Sequence, residues 1–391
     1  MKKLLIVLLG SSISTPSFAA DFKLYGFVLP NYIVSDQAVD SFSQNNLSAY
    51  TAAANPLLAQ SPQRPRSSFQ IAQSRFGFEV QPDPAVQGLL EFDFIDFTKA
   101  SATTSALPRV RRALIDWKTS ENTKIQFGQD WDLFSPLGPH TFNYVGHYFE
   151  SGDLGFMRQQ VVVLHTVDVS EFGIALGLQA QNSKAPDSNT EIGNWPTLAL
   201  RWKVAPKGSA VSQAGFSAIG TALLVDRNRN VRKGAFGLNS FFEMNLTSHW
   251  NWKTEAYAGR NLFNLGLLSL SFGDAIHDAS EVGFFSTTRY GLNEKHFVFG
   301  GLGWAKIPNP STMAAAYTGT AANALLGTTG PGIESNFTAR LGYEYKPLPM
   351  LTWFLELAYL KTTHHYNAVD LAVSNRQAAA FITNSGLLLN F

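Results

Sequence analysis

The residues that could do chemistry fall into two groups, one suited to catalysis and one suited to electrostatics. A hydrolase needs a nucleophile beside a His that a third polar group holds in place. One segment supplies these residue types in Ser135, His140, His147, Glu150 and Asp153. The chain has no GxSxG sequence, no His pair at the spacing of a zinc-binding helix and no cysteine. We therefore predict no catalytic residue, metal or cofactor, and keep a hydrolase as an alternative.

The second group consists of charged residues that alternate with apolar ones. In LLEFDFIDF, Leu90, Phe92 and Phe94 alternate with Glu91 and Asp93. Successive side chains of a β-strand point to opposite faces, so this segment has one apolar and one charged face. The same alternation places further charges on the polar faces of other predicted strands, at Arg75, Arg112, Asp116 and Arg158, with Lys124 nearby.

Sixteen segments of roughly ten residues show this alternation or are rich in β-branched and aromatic residues, from 22–34 at the start to 377–391 at the end. Short connections such as QPDPA, TSEN and KPLPM alternate with long ones such as 35–66 and 305–334. Short turns at one edge and long loops at the other are typical of outer-membrane barrels. An even number of strands places both termini on the short-turn side, which is periplasmic in such barrels.

The two ends of the chain support an exported barrel. Lys2 and Lys3 precede a short apolar run, and 1–19 reads as a signal peptide. No apolar run is long enough for a membrane helix, so a membrane-spanning chain must form a closed barrel. We predict an all-β fold for 20–391: one transmembrane antiparallel barrel of sixteen strands in the bacterial outer membrane. A secreted soluble β-protein is the other alternative, and the hydrolase would be a barrel with its active site at the external rim.

Four motifs carry a resemblance to a known family: QSRFGF at 73–78, LEFDF at 90–94, RVRRALIDW at 109–117 and GQDWDLF at 128–134. The chain resembles the sixteen-stranded outer-membrane porins, and most closely the DcaP-like trimeric porins. The resemblance implies a homotrimer and passive diffusion of small hydrophilic solutes, with a preference for organic anions. Leu387, Leu389 and Phe391, on one face of the last strand, resemble the signal that barrel-assembly machinery recognises.

The third long loop, 131–156, is the one that folds into the lumen in general porins. Its prolines, glycines and aromatic residues suit a loop packed against the barrel wall. We expect Glu150 and Asp153 to face the solute, opposite basic residues of the wall, whereas parity directs Arg109 and Arg111 away from the lumen. The predicted constriction and lumen residues are Arg75, Glu91, Asp93, Arg112, Asp116, Lys124, His140, His147, Glu150, Asp153 and Arg158.

Each of these arginines could instead form a structural ion pair with a neighbouring carboxylate, so the sequence leaves the ion selectivity open. Without Lys2 and Lys3, 28 basic residues face 29 acidic ones, which excludes nucleic acid as a partner. The basic run 226–233 falls in a predicted external loop, where lipopolysaccharide phosphates are candidate partners and plain solvation is the alternative. The other expected partners are outer-membrane lipid and the permeating solutes.

Overall fold

The computed structural model describes ten parts of the chain, which are 21–37, 66–95, 108–143, residue 148, 150–178, 195–226, 231–270, 278–309, 332–365 and 377–391. The predicted signal peptide and His147 lie outside the described residues. Within them, no helix is long and apolar enough to cross a membrane.

Eighteen strand segments form one sheet, and the first four segments are two interrupted strands, which leaves sixteen strands. The strands are β1 (Asp21–Val28 and Asn31–Ser35), β2 (Arg66–Gln70 and Arg75–Asp83), β3 (Val86–Asp93), β4 (Arg109–Lys118), β5 (Thr123–Trp131), β6 (Met157–Val167), β7 (Ser170–Gly177), β8 (Thr197–Val204), β9 (Val211–Asp226), β10 (Val231–Thr247), β11 (Trp250–Arg260), β12 (Ser280–Gly291), β13 (His296–Lys306), β14 (Gly332–Leu348), β15 (Leu351–His365) and β16 (Gln377–Asn390).

Every strand pairs antiparallel with its neighbours, and the last strand closes the sheet on the first. Phe27 of β1 pairs with Asn390 of β16, and Ile33 of β1 pairs with Asn384. The break in β1 lies at Pro30, which has no N–H to give to a ladder. Closure leaves no strand with unpaired backbone groups, and a sheet in lipid requires that every backbone N–H and C=O be paired. The predicted sixteen-stranded barrel is confirmed.

The faces of the strands are reversed relative to a soluble protein. Phe127, Phe216, Leu238 and Phe381 are each more than 60% exposed on the outside of the barrel. Polar side chains such as Glu281 are buried on the inside. An apolar outer face around a polar interior is the arrangement of a barrel in lipid.

The two ends of the barrel differ in their connections. Two-residue turns join β2 to β3, β6 to β7 and β14 to β15, and we call this the short-turn end. Aromatic side chains gather there on the outer face, with Trp250 edge-on to Tyr290 and Trp353 edge-on to Tyr343. Such rings suit the interface between lipid and water. The opposite, long-loop end carries the connections of more than ten residues.

Candidate functional site

The loop between β5 and β6, residues 132–156, is called L3 below, and its described residues, 132–143, 148 and 150–156, lie inside the barrel. It descends along β11 toward the short-turn end. The N–H of Leu137 donates to Glu255 Oε1 at 2.6 Å, Lys253 Nζ donates to the carbonyl of Gly138 at 3.4 Å, and the His140 ring contacts Asn251 at 2.8 Å. The three wall residues lie two positions apart on one face of β11. The predicted inward fold of this loop is confirmed.

Two wall glutamates hold L3 with the same pattern of hydrogen bonds. Glu255 accepts from the hydroxyl of Ser135 at 2.5 Å, besides the N–H of Leu137. Glu356 of β15 accepts from the hydroxyl of Thr141 at 2.8 Å and from the N–H of Phe142 at 3.2 Å. Both carboxylates are 2% exposed. A hydroxyl and a backbone N–H of L3 donate to each glutamate at a buried site, where leaving these groups unpaired would be costly, so these glutamates fix the course of L3.

Past Glu356, L3 continues across the barrel. The Phe142 ring stacks on Phe354 of β15 at a centroid distance of 4.1 Å and an interplanar angle of 3°, and lies 5.7 Å from Phe299. Next, Asn143 accepts a hydrogen bond from Gln73 Nε2 in the interruption of β2 at 3.2 Å. L3 therefore contacts the wall from β11 to β2 and narrows the lumen between them.

Arg340 of β14 holds Glu356 in place. Its guanidinium donates to Glu356 Oε1 at 2.5 Å and to the hydroxyl of Thr141. The same guanidinium lies 4.6 Å from the centroid of the Tyr148 ring, where L3 turns back. Arg340 thus ties both arms of L3 to one point of the wall.

The base of L3 is held by an ion pair buried in protein. Asp132 accepts from the N–H of Phe134 at 2.9 Å, and its Oδ2 lies 3.6 Å from Arg158 Nη2. Arg158 also donates to the carbonyls of Leu178 at 2.9 Å and Leu265 at 2.7 Å. Because Arg158 is 2% exposed, its charge contacts protein groups rather than the open lumen.

A second loop, between β11 and β12, also folds inward, which the sequence interpretation missed. It forms a short 3-10 helix, Leu262–Leu265, whose leucines pack against Phe134 and Leu154 of L3. The wall beneath is apolar too. The buried cluster consists of Leu133, Phe134, Leu154, Val162, Leu164, Ala175, Ala199, Ile219, Ala235, Tyr257, Leu262, Leu265 and Leu267. On this side of the barrel, L3 and the second loop therefore cover the inner wall with packed apolar side chains.

The two acidic residues of L3 that were predicted to face the solute lie in its returning arm, which we define as residues 148 and 150–156. Asp153 is 6% exposed and accepts from the N–H of Gly155 at 3.1 Å. Burial raises the pKa of Asp153 to about 7, and the nearby charge of Asp132 adds to the rise. Glu150 is half-buried, with a φ of 56° and an N–H that donates to the carbonyl of Leu268 at 2.9 Å. Asp153 therefore contributes only part of a negative charge near neutral pH.

The returning arm fits against the wall through Gly152. Its φ of 112° lies in the region that only glycine adopts readily. A Cβ added there would lie 2.0 Å from the carbonyl oxygen of Phe284 in β12. The close approach of the two backbones therefore requires glycine at this position.

Wall residues of β3–β5 form a ladder of ion pairs on the lumen side. Arg109 pairs with Asp93 at 2.6 Å, Arg112 with Asp130 at 2.6 Å, and Lys124 with Asp116 at 3.3 Å. Arg111 pairs with Glu91, which also accepts from the hydroxyl of Tyr25. The four basic and four acidic side chains of this ladder balance one another. Among the described residues, these basic side chains therefore form the structural ion pairs that the sequence left open as an alternative.

The prediction that Arg109 and Arg111 point away from the lumen is wrong, because β4 contains a bulge. Glu91 pairs with Arg112, but the next residue, Phe92, pairs with Val110, so Arg111 is an extra residue in the ladder. A bulge of this kind reverses the parity of the residues beyond it. Arg109 and Arg111 therefore join the lumen face.

The structure also shows the contacts of Arg75 and His140, two further residues of the predicted constriction. The guanidinium of Arg75 lies 5.3 Å from the centroid of the Phe27 ring. Burial lowers the pKa of His140 to about 4, and the charge of Lys253 adds to the effect, so the imidazole is neutral at physiological pH. His140 contributes a hydrogen bond to Asn251 rather than a charge.

No protein-family model and no curated protein sequence matches this chain. Solved structures do match. The outer-membrane channel DcaP of Acinetobacter baumannii has a TM-score of 0.67 at 14% identity, over 95% of this chain and 97% of that one. The chain has the fold of outer-membrane porins.

Two more structures agree. The anion-selective porin of Comamonas acidovorans has a TM-score of 0.58 at 11% identity, covering 95% of this chain and 100% of the other. OmpT, an outer membrane protein of Vibrio cholerae, has a TM-score of 0.54 at 14% identity, covering 97% and 100%. At such identities the likeness establishes the fold, and the resemblance to DcaP-like porins inferred from the sequence is confirmed at that level.

Proposed function

We propose that this protein is an outer-membrane porin, a passive diffusion channel for small hydrophilic solutes with a preference for organic anions. The observation that carries the proposal is L3, which buried Glu255 and Glu356 hold inside a closed barrel. Irregular backbone at membrane depth is tolerated where it lines a water-filled cavity. A barrel of sixteen strands is too wide for side chains to fill, so a water path remains beside the loop.

The mechanism is size exclusion combined with electrostatic orientation. The ion-pair ladder of β3–β5 gives one wall of the water path alternating charges that sum to zero. On the other side, Asp132 and Asp153 of L3 are buried, and the pKa of Asp153 near 7 limits its negative charge. L3 thus opposes the passage of anions only weakly. Two similar proteins are described as a channel and as an anion-selective porin, which supports this function.

The residues offered as a constriction have different roles in this proposal. Arg75, Arg112, Asp116 and Lys124 are partly exposed and line the water path, together with Arg109. Glu91, Asp93 and Arg111 are buried behind them as ion-pair partners. Asp153 and Arg158 instead hold L3 in place, and His140 positions its tip. Glu150 belongs to the returning arm of L3.

The proposal includes export, assembly and partners. A signal peptide at 1–19 precedes a single barrel domain, 20–391, in the outer membrane. Leu387, Leu389 and Phe391 are between 44% and 48% exposed on the outer face, where barrel-assembly machinery can read them. One solved form of Vibrio cholerae OmpT is described as a trimer, which supports a homotrimer. Outer-membrane lipid and lipopolysaccharide surround the apolar outer face.

We propose no enzymatic activity. Among the residues that the structure describes, Ser135 donates its hydroxyl to Glu255 while the His140 ring contacts Asn251, so these two do not form a nucleophile–base pair. The described part of the chain also contains no group of three or more residues suited to hold a metal ion. The exposed apolar side chains of the barrel argue against a soluble β-protein.

Planar-bilayer recording of the purified protein tests the proposal. We expect stepwise conductance, with steps in groups of three for a trimer. In a potassium chloride gradient, the reversal potential should have the sign of chloride preference. Absence of conductance from folded protein would overturn the channel, and a cation-selective reversal potential would overturn the anion preference.

A further inference from the structure

Two lysines lie on the outer face of the barrel at its long-loop end. Lys306 ends β13, where it shares the outer face with Leu302, and Lys361 of β15 shares that face with Leu357. Both leucines are exposed, as side chains that face lipid are, and both lysines are half-buried. The lysines therefore extend from the outer wall and lie outside the lumen.

The register of β13–β15 brings the two lysines close together. Lys306 pairs with Ser335 of β14, which pairs with Thr363 of β15, two residues from Lys361. Two strand spacings across the sheet and two residues along a strand separate the lysine Cα atoms by about 12 Å. Both ammonium groups can therefore reach one headgroup, with the hydroxyl-bearing Ser335 and Thr363 between them.

Neither lysine makes an ion pair among the residues that the structure describes. Glu334, at the bulge near the start of β14, pairs with neither of them. Arg260 differs, because it faces outward at the same end of β11 but pairs with Asp278 at 2.5 Å. Lys306 and Lys361 thus give this part of the outer face two cations that no described carboxylate neutralises.

Aromatic rings lie beside the lysines and below them, toward the middle of the membrane. Trp304 pairs with Phe337 across β13 and β14, and its ring lies 6.2 Å from that of Phe284. Tyr359 of β15 lies 4.9 Å from Phe381 of β16. Cations above a row of rings suit an amphiphile whose phosphates lie above its acyl chains.

The height of Lys306 matches the outer boundary of the hydrocarbon layer. At the other end of β13, His296 stacks on Tyr345 on the outer face, where aromatic rings mark the inner boundary. With a rise of about 3.4 Å per residue and a strand tilt of about 40°, β13 spans about 25 Å of membrane between His296 and Lys306. That span is the height of the apolar band of such barrels, so Lys306 lies level with the headgroups of the outer leaflet.

We propose that Lys306 and Lys361 form a binding site for the phosphates of lipopolysaccharide, with the hydroxyls of Ser335 and Thr363 as further donors. The acyl chains of the same molecule pack against Trp304 and the neighbouring rings. Lipopolysaccharide fits because its lipid A joins phosphates to several acyl chains in the outer leaflet. The inference rests on the proposed function, because it requires a barrel in the outer membrane with its long-loop end outside.

Native mass spectrometry of the folded, detergent-solubilised protein with added lipid A tests the site. The double variant Lys306→Gln, Lys361→Gln should bind lipid A about thirtyfold more weakly than the wild type, which corresponds to about 2 kcal/mol for two cations near a charged lipid. The matched control is Lys118→Gln, Lys207→Gln, because both of these lysines are exposed at the short-turn end. It should bind lipid A like the wild type.

Three further probes identify the ligand. Dephosphorylated lipid A should bind the wild type as weakly as intact lipid A binds the double variant, and phosphatidylglycerol should bind the wild type at least tenfold more weakly than lipid A. Inorganic phosphate at equal concentration should not displace lipid A. Equal lipid A affinity in the double variant and the wild type would overturn the site. Equal affinity for phosphatidylglycerol and lipid A, or displacement by inorganic phosphate, would overturn lipopolysaccharide as its ligand.

Bilayer conductance separates this inference from the proposed channel. The double variant should conduct like the wild type, because both lysines lie outside the lumen. Conductance without lysine-dependent binding of lipid A refutes this inference alone, whereas lipid A binding without conductance refutes the channel.

Discussion

Replacing Glu356 with Gln should release the tip of L3 while the barrel stays folded. The carboxylate accepts from Thr141 and Phe142 of L3 and is the ion-pair partner of the buried Arg340. The amide removes the negative charge and leaves Arg340 without its counter-ion. Breaking one member of a buried pair costs about 3–5 kcal/mol.

The size of this energetic cost indicates that the substitution will change L3 rather than the barrel. The barrel is closed by sixteen paired strands, whereas the outgoing arm of L3, residues 132–143, depends mainly on Glu255, Glu356 and the stack of Phe142 on Phe354. A loss of about 3 kcal/mol raises the population of the released loop by roughly two orders of magnitude. Release widens the water path, so single-channel conductance and its noise should both increase.

Planar-bilayer recording measures both quantities, and heat-modifiable migration on a gel reports whether the barrel has folded. Glu171→Gln is the matched control, because Glu171 pairs with Arg201 at 2.8 Å and Lys203 at 3.1 Å on the wall without contacting L3 among the described residues. It should show wild-type conductance. A folded Glu356→Gln channel with wild-type conductance and noise would refute the argument that this glutamate holds the loop.

Three more predictions follow from the same structure. Gly152→Ala should destabilise the returning arm of L3 by about 1–3 kcal/mol and so increase channel noise, because residue 152 has a positive φ and the added carbon would clash with Phe284. Gly138→Ala is the control and should leave channel noise unchanged, because nothing lies within 4 Å of the added carbon. The pKa of Asp153 rises on folding from 3.8 to about 7, so its neutral form stabilises L3 fully below pH 3.8 and this stabilisation is lost as the pH rises through about 7. Channel noise should therefore increase between these pH values, and Asp153→Asn should remove this pH dependence. Deleting Phe391, whose N–H donates to Gly26 at 3.1 Å, should leave little heat-modifiable barrel in outer-membrane fractions, and normal yield would contradict its role in assembly.

The strands could be predicted from the sequence because a barrel in lipid repeats one local rule. Apolar and polar residues alternate along each strand, and short turns alternate with long loops, so the count of sixteen and the faces of most residues follow without tertiary information. The course of L3 into the lumen followed from its order in the chain. Its partners Glu255 and Glu356 could not be identified, because contacts between residues more than a hundred positions apart leave no local pattern.

Two features escaped prediction for identifiable physical reasons. The bulge at Arg111 inserts one residue into β4, and strict alternation then assigns the wrong face to Arg109. On β6–β8, residues such as Val162, Ala175 and Ala199 make the lumen face apolar as well as the outer face. Strands that are apolar on both faces indicate that a loop covers the inner face, and this signal could have predicted that a second loop packs against this wall.

The measurement that tests the central claim most directly is the swelling rate of proteoliposomes in sugars of increasing size. For a water path narrowed by L3, the wild-type rate should fall steeply with solute size, and the rate in Glu356→Gln should fall less steeply. The Glu171→Gln control should follow the wild type. No swelling in the smallest sugar, or the same size dependence in Glu356→Gln and the wild type, would contradict a channel whose selectivity is set by the held loop.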